Sequence, residues 1–389
     1  MTKDTASAHY PTKDLGSLVD FFDNRRKPIT ASKRESGDIP YYGANGVQGH
    51  VKDYLFDEPL ILLAEDGGHF DDPARGIAYE ITGKSWVNNH AHVLRAKEGV
   101  SQRYLLWVLR HYDVTPFISG STRAKLTKGQ AERIPIPVPE SLAEQRRIAA
   151  ILDKSDAIRR KREQALTLAD DFLKSVFLEM FGDPHTNSGG WDVGVISDCL
   201  TSTVGGWSAK GEARPARSDE LGVLKISAVT SGEYIPEENK TVSVVPEGKK
   251  LVVPQVGDLL FSRANTRELV AATCIVLDAP QNVFLPDKLW SLEVDPDEAT
   301  APYLKFVLTD PGYRYALCLR ASGTSGSMLN ISKAKLLDHP IPIPPIQKQK
   351  DFEKIWWRTQ ETVKRLKSEL EMSNELFGSL SQRAFSGGL

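Results

Sequence analysis

The sequence predicts an α+β protein made of two globular domains, separated by an antiparallel coiled coil of two long helices, in a pseudo-twofold internal repeat. Three observations predict it. A Pro-rich strand motif occurs twice. A long helical stretch follows each copy. Apolar residues recur along both stretches at the alternating spacing of a helix seam.

The repeat is the primary signal. Arg133-Ile-Pro-Ile-Pro-Val-Pro139 is answered by Asp338-His-Pro-Ile-Pro-Ile-Pro344, and Leu126-Thr-Lys128 by Ile331-Ser-Lys333 at the same offset. Downstream, Gln145 and Gln349, Ile151 and Ile355, Leu166 and Leu370, Ser175 and Ser379, and Phe181 and Phe385 share an offset one residue shorter. Upstream, Tyr104-Leu105 matches Tyr303-Leu304, each opening a helical pattern. Two copies exclude a solenoid, so the reading is two equivalent domains.

The first domain occupies residues 1–140. Its short apolar runs, such as Leu60-Ile-Leu-Leu-Ala64, are bounded by Gly, Pro, Asn and Asp, as strands are. Residues 104–109 read as a helical segment among them. The first long helix lies within residues 141–182. Ser141-Leu-Ala-Glu144 has the spacing of a capping box, and no Pro or Gly interrupts the run to Phe181. Gly182 then serves as the C-cap, with Pro184 beyond it. The second domain, 183–345, has strand-like runs at 223–227, 258–261 and 272–277. The second long helix fills 346–389. Gly378 weakens it without ending it, and Gly387-Gly388 close it. At 1.5 Å per residue each helix is about 60 Å long.

The helix seams assign packing positions. Ile148, Ile151, Ile158, Phe172 and Val176 line one, and Trp356, Val363, Leu366, Leu370, Phe377 and Leu380 line the other. Two amphipathic helices packed separately on their own domains are the alternative. Equal lengths in a duplicated chain favour pairing.

A formal net charge of -2, with 26% charged and 40% hydrophobic residues, is ordinary for a globular protein. A lone duplex binder is usually basic, so DNA binding here requires local basic patches or partners. Cys199, Cys274 and Cys318 form no CxxC or Cys/His spacing, which excludes a structural zinc motif and suits a reducing, cytoplasmic location. No signal peptide and no run long enough to span a membrane is expected.

The chain shows no motif for chemistry of its own, so no catalytic residue, metal site or cofactor is assigned to it. A phosphate-binding loop is lacking, because Gly323-Thr-Ser-Gly326 has neither the Lys nor the following helix. The adenine-methyltransferase Asn/Asp-Pro-Pro-aromatic motif is lacking too, since Asp183-Pro184 leads into a polar loop. His90 and His92, with Glu65, Asp71 and Asp72, are the one tempting metal-nuclease set. They read as an ordinary strand with a polar side, and Asp287-Lys-Leu stands at the corresponding place in the second copy.

Taken in order, these features resemble the specificity subunit of Type I restriction-modification systems, over essentially the whole chain. The resemblance rests on the two Ile-Pro-rich strands, on the helix starts Leu142-Ala-Glu-Gln145 and Ile346-Gln-Lys-Gln349, and on three further segments. These are Tyr41-Tyr-Gly-Ala-Asn-Gly46, Gly257-Asp-Leu-Leu-Phe-Ser-Arg263 and Pro286-Asp-Lys-Leu-Trp290. It implies two target-recognition domains, each reading half of a bipartite site in double-stranded DNA. It implies that the helices act as spacer and dock two methyltransferase subunits, to which motor-nuclease subunits add. S-adenosylmethionine is then expected in the methyltransferase, not here. The pair Trp356-Trp357, without a counterpart in the first helix, suggests unequal docking at the two helices.

Base reading wants Arg, Lys, Asn or Gln on loops at the edge of a rigid scaffold. In the first domain these are Tyr41, Tyr42, Asn45 and Gln48 in one loop, and Arg123 and Lys125 in another. In the second they are Lys210, Arg214 and Arg217 in a basic loop, Arg263, Asn265, Thr266 and Arg267 after a strand, and Ser327 and Asn330 opposite Arg123 to Lys125. A coiled-coil scaffold with protein-binding domains is the competing reading. DNA-binding assays with the methyltransferase present separate the two.

Overall fold

The computed structural model describes residues 10–72, 75–120, 123–323 and 328–389. Its chain divides into two compact units, Met1–Glu163 with Ser368–Leu389, and Gln164–Lys367. Each unit therefore takes one half of each long helix. Ser327 and the loop 324–326 lie outside the described residues.

Unit 1 is built on two sheets. Val19–Phe21, Ala91–Ala96, Leu60–Ala64 and Ala78–Ile81 form the first, antiparallel throughout. Gly46–Val51, Ile39–Gly43, Lys84–Val87 and Phe56–Asp57 form the second, whose inner pair is parallel, with Tyr41 opposite Trp86. All five residues of Leu60–Ala64 are buried, which explains why this strand is an unbroken apolar run. The helix Gln102–Arg110 covers the first sheet. It buries Tyr104 through Leu109, and each large side chain taken from water contributes roughly 1.5–3 kcal/mol.

Unit 2 repeats this plan. Leu200–Gly205, Leu289–Val294, Leu259–Ser262 and Thr273–Ile275 give the antiparallel sheet in the same order. Asn239–Val242, Leu221–Leu224 and Val283–Phe284 give the second, three-stranded, in which the central strand Leu221–Leu224 again pairs in parallel, here with the edge strand Val283–Phe284. The strand read from sequence at 223–227 is split. It ends at Leu224, and a short helix, Ser227–Thr230, takes the rest.

The Pro-rich motif now has a physical account. Pro135–Pro137 pairs with Thr12–Asp14, and Pro340–Pro342 with Val193–Val195. Proline carbonyls accept but proline has no N–H to donate. Tyrosines on the adjacent helices, or just past the end of one, supply the donors. Tyr104 Oη donates to Pro137 O (2.7 Å) and Tyr303 Oη to Pro342 O (2.6 Å). Tyr112 and Tyr313 do the same for Pro135 O and Pro340 O.

The repeated glutamines fasten the head of each long helix. Gln145 Oε1 accepts from Ser101 N (2.7 Å), while its amide donates to Pro139 O (2.9 Å) and Gly99 O (3.4 Å). Gln349 Oε1 accepts from Thr300 N (3.1 Å), and its amide donates to Pro344 O (2.8 Å) and Glu298 O (3.1 Å). Ser101 and Thr300 are in turn the N-caps of the core helices. Glu144 does not complete the expected capping box. Its carboxylate is taken by Arg147 and by the Tyr10 hydroxyl.

The long helices run Leu142–Phe181 and Ile346–Ser386, each followed by a glycine at positive φ, Gly182 (77°) and Gly387 (83°). Inside unit 1 they pair antiparallel. Arg147 donates to Leu389 O, and Arg162 donates to Glu369 O (3.0 Å) and to the Ser373 hydroxyl. Phe377 packs on Trp107 (centroids 5.5 Å) and Phe385 on Tyr104 (6.1 Å), so the end of the chain completes the first core. Inside unit 2, Phe177 and Phe181 meet Phe352 edge to face, with Leu173 and Trp356 in the same core.

The seam differs in part from the sequence reading. Ile148 is fully buried, Ile151 and Val176 are half-buried, and Trp356 is buried. Val363, Leu366, Leu370, Phe377 and Leu380 are half-buried. Ile158 and Phe172, however, are 43% and 51% exposed. Leu152 and Leu173 are buried instead. A strict heptad drifts against the 3.6-residue helix, and the globular cores, not only the partner helix, choose the inward face. Trp356 and Trp357 meet edge to face at 4.7 Å and pack into the second core, so the pair serves the unit's interior.

Candidate nucleic-acid interface

Each unit gathers its polar loops at one edge of the antiparallel sheet, and strand register lets the two edges be matched residue by residue. In unit 1, Ala64 faces Ala91, Glu65 N donates to His90 O, and Leu126 N donates to Glu65 O. In unit 2, Ser262 faces Leu289, Arg263 N donates to Lys288 O, and Ile331 N donates to Arg263 O. Glu65 and Arg263 therefore hold one structural position with opposite charge. His92 likewise corresponds to Trp290, His90 to Lys288 and Lys125 to Asn330.

In unit 1 the position is a carboxylate wrapped in cations. Glu65 pairs with Arg26 (2.5 Å) and Lys125 (3.0 Å). Burial opposes its ionisation, yet the hydrogen bonds from Arg26 and Lys125 hold its carboxyl below the usual range. Asp23 is half-buried, and its bonds to His92 and to Val93 N depress it although burial opposes ionisation. His92 has Asp23 on Nδ1 (2.6 Å) and Leu126 O on Nε2 (2.8 Å). Asp23, Glu65 and His92 do present ligand atoms within 4.8 Å of one another. Both histidine nitrogens are already engaged, and Arg26 bridges the two carboxylates. The donor set thus suits an ion-pair network rather than a cation site.

This network seats the loop that carries Arg123 and Lys125. Lys125 reaches Glu65, and Arg123 reaches Asp66 (3.1 Å), which also bonds His90. Arg123 keeps 64% of its side chain exposed. Asn45 is exposed at the hairpin tip and ties it to Gly67 O (2.9 Å). Gln48, also exposed, accepts from Asn88 Nδ2 (3.1 Å). Asn45, Gln48, Arg123 and Lys125 thus converge through Glu65 to Gly67 and Asn88 to His90. Tyr41 does not join them. It is 2% exposed, its hydroxyl accepts from Ile29 N, and Arg34 stacks on its ring. Tyr42 is half-buried against Tyr79.

In unit 2, Arg263 is clamped. It donates to Asp287 O (2.8 Å) and Asn330 Oδ1 (3.0 Å), and its guanidinium lies over Trp290. Arg214 is also committed, in a fork to Glu220 (2.7 Å to each oxygen) that holds the Glu220 carboxyl down to about 2. Both act as struts. Lys210, Arg217 and Arg267 are exposed; Asn265 and Thr266 are half-buried at the same edge. Sequence reasoning weighed His90 only as a metal ligand and did not single out Asn88, Lys225, Lys240 and Lys288, because only pairing register brings them to this edge.

Comparison with known proteins agrees with this architecture. Residues 9–168 match the family model described as the Type I restriction modification DNA specificity domain. A putative type I restriction enzyme specificity subunit of Haemophilus influenzae is 42% identical over 149 residues, 38% of this chain and 37% of that protein. The EcoEI specificity subunit of Escherichia coli is 31% identical over 161 residues, 40% of this chain and 26% of that protein. The matched stretches thus span well under two thirds of these relatives. The crystal structure of a Type I restriction-modification S subunit from M. genitalium shares the fold across 99% of this chain and 98% of its own, with a TM-score of 0.66 at 12% identity. A structure described in terms of complex assembly and conformational transition of the type I system matches 98% of each chain, with a TM-score of 0.50 at 16% identity.

Proposed function

We propose that this chain, which carries the Type I restriction-modification DNA specificity domain over residues 9–168, is the sequence-specificity subunit of such a system. It performs no catalysis. Each unit reads one half of a bipartite duplex site, and the chain recruits two methyltransferase subunits, which supply S-adenosylmethionine; motor-nuclease subunits join the same assembly. It works in the cytoplasm, and among the described residues no helix is long and apolar enough to cross a membrane.

One observation carries the reading. The same sheet edge is built twice with different chemistry, Glu65 with Lys125 against Arg263 with Asn330. A scaffold duplicated for strength has no need to vary this edge. A reader of two different half-sites does. The overall charge of -2 is met by partners that share the phosphate contacts.

The test is genome-wide mapping of methylated positions in a host carrying this chain and its methyltransferase. A split motif is expected. Exchanging residues 1–140 for the domain of another family member should change one half only. Each unit takes a part of both continuous helices, so removing one heptad from each should change the spacer and leave both half-sites intact. Methylation without a motif, or a motif indifferent to the exchange, refutes the proposal.

A further inference from the structure

Unit 2 contains a cavity of about 540 Å³ at the edge just described, a volume within the range of specific binding sites. Lys225, Lys240 and Lys288 line it, and no carboxylate does. Lys225 is paired with Glu238 (3.4 Å), whereas Lys240 and Lys288 form no ion pair among the described residues. The floor is apolar, with Leu224, Ile226, Leu269 and Pro286. Glu238 accepts from Ser227 and Asp287 from Ser208 at the rim, so three lysines stand against two carboxylates and the low-dielectric walls focus the remaining positive balance into the opening.

One amide faces the same space. Asn265, on the short strand Ala264–Asn265, lines the cavity. Its Oδ1 accepts from Thr266 N (2.8 Å), which fixes the side chain. That oxygen keeps a second lone pair, and both Nδ2 hydrogens have no partner among the described residues. One free acceptor beside two free donors matches the N6 and N7 edge of adenine in the major groove.

Strand register supplies an independent argument. Val223 lies opposite Phe284 and Lys240, as Tyr41 lies opposite Trp86 in unit 1 beside the bulge that holds Gln48. Gln48 thus stands at the place of Lys240, and His90 at that of Lys288. The two units put polar side chains at the same two strand positions, and they change the residue at each.

We propose that this cavity is the half-site reading surface of unit 2, with Asn265 reading an adenine–thymine pair and Lys240 and Lys288 holding flanking phosphates. The inference rests on the specificity-subunit reading above. It also moves the task away from Arg263 and Arg214, which are committed to internal partners.

The experiment uses the full chain assembled with its methyltransferase, on duplexes carrying the mapped motif and on scrambled duplexes. Lys240→Ala and Lys288→Ala should each weaken binding to both kinds of duplex. Each should also flatten the plot of log affinity against log salt by about one unit of slope. Lys240→Arg and Lys288→Arg should restore both. Asn265→Ala should relax one adenine–thymine position in one half-site, with about 5- to 150-fold less discrimination there. Asn265→Ser, which keeps an oxygen for Thr266 N, guards against misfolding and should relax the same position. If the lysine variants keep the parental salt slope, or the asparagine variants keep every position of the motif, the assignment is wrong while the specificity-subunit reading stands. If the parental complex itself shows no motif, that reading fails and the inference falls with it.

Discussion

Gln349 offers the sharpest perturbation of the fold. Its side chain is fully buried and makes three hydrogen bonds, to Thr300 N, Pro344 O and Glu298 O. Gln349→Leu conserves volume but strands these groups. An unpaired buried polar group costs about 1–3 kcal/mol, so stranding the amide and one carbonyl together amounts to about 3 kcal/mol. For a unit of this size (Gln164–Lys367) that lowers the melting temperature by about 6–12 °C. Calorimetry should show the loss in the unit 2 transition alone. Hydrogen exchange should accelerate first at Thr300 and the start of Ala301–Thr309. Gln349→Glu gives a sign test. Its carboxylate would face two carbonyl oxygens in a dry site, so its folded pKa lies above the unfolded value. That stabilising difference is complete below the unfolded pKa and lost as pH rises through the folded one, so the variant should gain stability on acidification. A loss under about 1 kcal/mol for the leucine variant, or equal losses in both units, would refute the clamp argument.

Further predictions follow from the same contacts. Phe377→Ala removes a ring set against Trp107 and His111 and should destabilise unit 1 by about 2 kcal/mol, since the site is only half-buried; it should also change Trp107 fluorescence. The depressed carboxyls of Asp23 and Glu65 contribute stability above their ordinary values of 3.8 and 4.5, and that stability is lost as pH falls through the lower folded values. Unit 1 of the parent should therefore weaken steeply in acid, and Asp23→Asn should flatten that limb in pH-dependent melts. Burial pushes the thiols of Cys199 and Cys274 up to about 12, so neither should react with a disulfide reagent at pH 8 until the chain is unfolded by denaturant.

The long helices and the Pro-rich strands were legible because their causes are local. Absence of Pro and Gly, a glycine stop, and periodic apolar residues fix a helix whatever surrounds it. The candidate interface was legible only in part. Asn45, Gln48, Arg123 and Lys125 were singled out because exposed polar loops announce themselves by composition, and the fold gathers them at one edge of unit 1. Tyr41 was misplaced, since nothing in Tyr41-Tyr42 says which ring turns inward. The alternation is settled by the parallel pairing with Trp86. Arg214 and Arg263 read as free cations because their partners, Glu220, Asp287 and Asn330, are revealed by folding.

By itself the sequence determined that the chain is a duplication, that each copy is a mixed sheet-and-helix body, and that each copy leads into a continuous helix. Those properties follow from short-range periodicity and from repetition, which need no coordinates. Tertiary structure alone decided which helix face is buried, why Ile158 and Phe172 stay in water while Leu152 and Leu173 do not, and that Glu65 and Arg263 occupy one position. These depend on pairing between residues far apart in the chain, where the free energy of burial and of charge neutralisation is set by neighbours that no local pattern names.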